Sequence, residues 1–191
     1  MNTTAIVIAV VVIIVLLVAA FLVWRRREQT GKLRDRFGPE YGRAVEETGS
    51  RSKAEAELRE RQARVAALPL RDLSPEDRAR FGDAWTRVQA EFVDDPAASV
   101  VHADVLVGDV MKARGYPVAD FDQRAADISV DHPVVVESYR AAHEVATRHT
   151  AGQATTEDLR QGMVHYRTLF EELTRDVAPV QAEAAPTPSA R

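Results

Sequence analysis

The sequence has no cysteine, and its basic residues include only three lysines against 22 arginines. Without cysteine there is no disulfide staple, no thiolate nucleophile and no cysteine-bound metal. No glycine-rich phosphate loop, G-x-S-x-G elbow or H-E-x-x-H pair occurs, so the common signatures of nucleotide binding, acyl transfer and zinc hydrolysis are missing. Aromatic residues make up 6% of the 191 positions, and no segment sustains the apolar–polar alternation of a strand. These absences exclude a disulfide-rich miniprotein, and the length excludes a multi-domain enzyme. A hydrophobic content of 46% excludes a wholly disordered chain.

What is present is divided unevenly. Residues 5–24 are 20 consecutive apolar residues, AIVIAVVVIIVLLVAAFLVW. As a helix they span about 30 Å, the thickness of a bilayer's hydrocarbon core. Their many β-branched residues would favour a strand in water, but in lipid a lone span must satisfy its own backbone and is therefore expected to be helical. Trp24 is placed as an interfacial anchor, followed by Arg25, Arg26 and Arg27. A cleaved signal peptide would need a basic start and a shorter apolar core. Here Met1–Thr4 carries no charged side chain, and the arginine triplet reads as a stop-transfer signal. Residues 25–36 hold six basic and two acidic residues, which predicts an external N-terminus and a cytoplasmic C-terminal domain at a bacterial inner membrane.

Beyond residue 36 the charge reverses. Residues 37–66 balance at six of each sign, while 67–178 hold 12 basic and 20 acidic residues. An acidic body on a basic foot argues against nucleic-acid binding, which needs a concentrated basic face.

The remaining chain reads as all-α: a single N-terminal transmembrane helix followed by a small helical bundle. The expected divisions are an external 1–4, the span 5–24, a basic connector 25–50 broken at Gly38-Pro39 and Gly49-Ser50, a spacer helix 51–68, the bundle 69–177 and a disordered tail 178–191. The spacer has a thin apolar stripe (Ala54, Leu58, Val65, Leu68) interrupted by Arg61, and too few heptads for a coiled coil. In the bundle, Ser74-Pro75 starts a helix to about Asp94, and Asp95-Pro96 starts one to Arg114, stopped by Gly115 and Pro117. Asp120 caps a short helix 121–129, Asp131 caps 133–150, and Thr155 to Asp158 cap a helix to about Arg175. Apolar stripes at helical spacing run through Phe81, Trp85, Val88 and Phe92, through Val135, Tyr139, Ala142 and Ala146, and through Leu159, Met163, Tyr166 and Phe170. The 96–114 helix is apolar more broadly, with Val100, Val101, Val105, Leu106, Val107, Val110 and Met111, and is expected to be the most buried.

Three constellations could carry chemistry. The segment from Asp120 to His132 is the most polar stretch between core helices. Asp120, Asp122, Asp127 and His132, with His143, form a candidate set for a divalent cation or small ligand. The segment fails the EF-hand pattern, because Arg124 occupies an oxygen-ligand position and the turn glycine is missing. The plainer reading makes Asp120 and Asp131 caps, Arg124 the partner of Asp120 or Asp127, and Phe121 core. Tyr139, Arg140 and His143, with Glu137, resemble an acid–base cluster, but Tyr139 lies on the core stripe. His143 and His149 fall on different faces of one helix and cannot share a metal. No cofactor and no catalytic residue is therefore assigned. Asp122, Arg124, Asp127 and Arg140 are the candidate partner surface.

Phe37-Gly38-Pro39-Glu40-Tyr41, Phe92 to Pro96, Arg114-Gly115-Tyr116-Pro117, Asp120 to Pro133, and Thr156 to Leu173 resemble a family of uncharacterised single-span bacterial membrane proteins. These are common in high-GC bacteria and often described as hypothetical or secreted. The preference for arginine over lysine points the same way. The resemblance implies a membrane-anchored helical domain and carries no established activity to transfer. The expected function is a membrane-anchored, non-catalytic scaffold or adaptor binding an unidentified protein. The alternative is a metal- or small-ligand-binding domain, with or without enzymatic activity, at Asp120 to His132.

Overall fold

The computed structural model describes residues 3–117 and 119–175. The side chains of residues 3–11, 15, 22, 23 and 26 lie outside the description, as do residues 1–2 of the expected external segment 1–4 and the expected tail 178–191. The described residues are all-helical, with no strand. The helices are α1 (Thr3–Phe37), α2 (Pro39–Thr48), α3 (Arg51–Ala66), α4 (Pro75–Glu91), α5 (Pro96–Ala113), α6 (Phe121–Asp131), α7 (Pro133–Thr150) and α8 (Thr156–Thr174). They divide into two compact units, one of Met1–Ala66 with Ser129–Val134, the other of Ala67–Ile128 with Val135–Arg191.

In the first unit α1 does not stop at the arginine triplet. It is one helix of 35 residues whose far end is buried at Leu33 and Phe37. Residues 25–37, expected in a connector, therefore continue the rod. The break falls at Gly38, whose φ of 49° ends α1 before Pro39 opens α2. Gly49, at φ 63°, ends α2 in the left-handed conformation. Helix α3 packs on α2 and α1 through Ala54, Leu58 and Val65, so it is a core element rather than a solvated spacer. Among the described residues no helix is long and apolar enough to cross a membrane. The apolar run 5–24 falls in part on side chains outside them.

The second unit is built on α5, which packs against both α4 and α8. Its start signals act as read. Ser74 accepts from the Asp77 N–H, Asp95 accepts from the Ala98 N–H, and Thr155 and Asp158 form a reciprocal capping box. Gly115 closes α5 in a Schellman motif, with Tyr116 N–H donating to Met111 O and Gly115 N–H to Lys112 O. Its φ is 97°, and Pro69 O lies 2.4 Å from where a Cβ would stand, so glycine is required twice over. Ser99 Oγ donates to Val88 O at 2.7 Å, fastening α5 to α4. Ser99 and Met163, Asp104 and Tyr166, and Arg114 and Leu173 pair in rising order, so α5 and α8 run in the same direction. Trp85 stacks on Phe170 with centroids 4.8 Å apart.

Two expectations fail here. Val101 and Val105, read as part of an all-round buried helix, are 53% and 56% exposed. Asp131 does not cap α7. It is the last residue of α6, and within the first unit its carboxylate accepts from Arg36 at 3.2 Å.

Candidate functional site

The candidate ligand residues do separate jobs. Asp120 accepts from the Gln123 N–H at 2.9 Å and is the N-cap of α6. Asp127 is 1% exposed and accepts from the Gln123 side chain at 2.8 Å. Asp122 is exposed. His143 stacks on Phe121, ring centroids 3.6 Å apart and planes within 7°. These residues and His132 do not assemble: among the described residues no group of three or more acidic or histidine side chains could hold a metal ion. Tyr139 and His143, read together as an acid–base pair, both pack their rings against Phe121.

The candidate partner surface also changes. Asp127 is enclosed, and Arg124 has only 18% of its side chain exposed. Arg124 turns to Asp104 of α5, 3.6 Å away, and its guanidinium lies 5.7 Å over the Tyr139 ring. Tyr166 of α8 donates to the same Asp104 carboxylate at 3.2 Å. Four helices thus meet at a polar knot of Asp104, Arg124, Tyr139 and Tyr166, in which the two phenols are buried and the charged pair is only partly covered. Gly108 makes room for it, since a Cβ there would lie 3.1 Å from Arg124 Nη1. Burial pushes both phenols above their ordinary value, and the Asp104 charge adds to the effect. They are held neutral, which suits packing and not proton transfer near neutrality.

A second polar assembly, within the first unit, lies outside the expected site. Glu55 of α3 is 8% exposed. It accepts from Thr30 of α1 at 2.8 Å, from Tyr41 of α2 at 3.1 Å and from Arg59 at 3.0 Å. Burial alone would raise its carboxyl, but the hydroxyl donors and the Arg59 charge outweigh it and hold the pKa below the carboxylate range. Beside it Arg61 pairs with Glu40 of α2. Gln29, Thr30, Arg51, Ser52, Glu55 and Arg59 line an open pocket of about 500 Å³ between α1 and α3.

Comparison with protein-family models, curated proteins and solved structures finds no match.

The chemistry must therefore be read from the residues alone. Of the membrane-interface residues, Trp24, Arg25 and Arg27 are exposed on α1, with Trp24 tilted against Phe21 at 6.1 Å; the Arg26 side chain lies outside the described residues. Sequence reasoning passed over Asp104 and Glu55 and read Tyr166 only as part of an apolar stripe. One signal was available for each assembly: a charged residue inside an otherwise apolar helix face, as with Asp104 in α5 and Arg61 in α3.

Proposed function

We propose that this protein is a single-span membrane protein whose helical C-terminal part binds a protein partner at the cytoplasmic face and performs no catalysis. One observation carries the reading: α1 is unbroken from Thr3 to Phe37. The 20 apolar residues at 5–24 therefore share one rod with Leu33 and Phe37, which are buried at its far end. A helix needs about 20 apolar residues to span the hydrocarbon layer, and the charge that follows favours retention on the inner side.

The partner surface belongs on α5 and α8 rather than at Asp122, Arg124, Asp127 and Arg140. Val101 and Val105 stand one turn apart on α5, and Val164 of α8 is 46% exposed. Half-exposed valines on two helices that pack against each other suit an apolar partner face.

Orientation is the first test, and the absence of native cysteine makes it clean. A Ser189→Cys variant is expected to resist a membrane-impermeant thiol reagent in intact cells and to react after permeabilisation. Labelling in intact cells would reverse the proposed topology. A photocrosslinker at Val101 is expected to trap one defined partner, and Val105→Asp should abolish the adduct while leaving melting unchanged.

A further inference from the structure

We propose that the pocket between α1 and α3 holds the phosphate of an anionic lipid headgroup. The inference rests on the membrane-anchor reading and names a ligand for a site which that reading leaves unused.

The lining is polar throughout: Gln29 and Thr30 from α1, and Arg51, Ser52, Glu55 and Arg59 from α3. Such a wall has amide, hydroxyl and guanidinium donors and no apolar side chain, so it suits a small polar anion better than an acyl chain. Two arginines face one carboxylate. That carboxylate is already engaged, with Oε1 taken by Thr30 and Tyr41 and Oε2 by Arg59. Arg51 has no carboxylate partner among the described residues. The first turn of α3 carries no acid either, so the cationic side chain sits at the positive end of its own helix, and the one carboxylate of the pocket, Glu55, is already bonded to other donors. An anion placed there answers both charges, and guanidinium groups match the oxygens of a phosphate.

The depth of the pocket selects the source of that phosphate. Thr30 lies six residues beyond Trp24 on a continuous helix, about 9 Å along its axis. The headgroup layer is roughly 5–8 Å thick on each side of the hydrocarbon. If 5–24 fills the hydrocarbon, the pocket opens just beyond that layer on the inner side, from where long arginine side chains reach back to lipid phosphates. A zwitterionic headgroup brings its own cation next to the arginines, so an anionic lipid is favoured.

The test uses the full chain in mild detergent, melted with dioctanoyl phosphatidylglycerol, dioctanoyl phosphatidylcholine or inorganic phosphate. The anionic lipid is expected to raise the melting temperature, and the other two to leave it unchanged. Arg51→Gln should melt normally without ligand and bind phosphatidylglycerol roughly tenfold more weakly, the loss of one charge-assisted contact. A variant with Arg25, Arg26 and Arg27 all changed to Gln should keep the shift. An equal shift with phosphatidylcholine or inorganic phosphate overturns the proposal, as does an undiminished shift in Arg51→Gln. Loss of the shift in the triplet variant moves the lipid to the juxtamembrane arginines and also overturns it. Alkaline carbonate extraction tests the anchor separately. Release of the wild-type chain from membranes would sink the anchor reading, whereas a retained chain without a lipid-specific shift would sink only the pocket.

Discussion

Arg61 of α3 and Glu40 of α2 form an ion pair of 3.0 Å with side chains only 8% and 4% exposed. Arg61 also reaches Glu57 one turn back on its own helix. The residue that interrupts the apolar stripe of α3 is thus part of the core, and its charge is met by a carboxylate 21 positions earlier. Removing one member of such a pair takes away a charge that compensates the other where little water reaches it. Arg61→Ala is expected to cost about 3–5 kcal/mol in denaturant unfolding of the first unit. Replacing both by apolar residues, Glu40→Leu with Arg61→Met, should recover most of that loss. Equal stability of wild type and Arg61→Ala would show the pair to be solvated.

Glu55 makes the first unit sensitive to acid. Its carboxyl is held below the ordinary value of 4.5, so the folded protein binds this proton less readily than the unfolded chain does. The stabilisation is complete above that value and fades as pH falls below it, through the lowered pKa. Glu55→Gln should flatten the fall of melting temperature below pH 4.5. Glu157, held at about 2 by Arg160 and Gln161, and Asp158, lowered by its bonds from Thr155, fall in the same direction. Both are solvent-facing and screened by salt, so the Glu55 contribution is the one that should persist at high ionic strength.

The two buried tyrosines of the polar knot should respond oppositely to loss of their hydroxyls. Tyr139 Oη is buried without a hydrogen-bond partner among the described residues, whereas Tyr166 donates to Asp104. Tyr139→Phe is expected to leave stability unchanged or raise it by up to about 1 kcal/mol, because an unmet polar group is removed. Tyr166→Phe should lower stability by about 1 kcal/mol, because Asp104 loses a donor. Equilibrium unfolding of the two variants side by side decides the matter.

Glycines in the left-handed region differ in what surrounds them. Gly152, at φ 70°, has open space where a Cβ would stand, so Gly152→Ala carries the backbone penalty alone, roughly 1–2 kcal/mol. Gly115→Ala adds a clash with the Pro69 carbonyl. It should be the more damaging change, seen as a larger drop in melting temperature and early protease cleavage near residues 69–70.

Much of the second unit was legible because its signals are local. Ser74, Asp95, Asp120 and Thr155 each satisfy a backbone donor within three residues, so their role needs no knowledge of the rest of the fold. The stripes of α7 and α8 were legible for a similar reason, since helical periodicity places Tyr139 or Phe170 on one face whatever lies opposite. Val101 and Val105 show the limit: periodicity cannot say whether a second apolar face will be covered. Asp131 shows another: a residue spaced to cap α7 instead ends α6 and accepts from Arg36, far away in the chain.

Taken alone, the order of amino acids determined the all-helical class, most stops and starts of the bundle, the apolar run and the sign of each region's charge. These follow from bonds within a turn or from simple spacing. Only the folded arrangement decided which charges are buried and with whom. Glu40 with Arg61, Glu55 with Thr30 and Tyr41, and Asp104 with Arg124 and Tyr166 join separate helices. The cost of enclosing a charge is met by a partner remote in the chain, and no local pattern records where that partner will be.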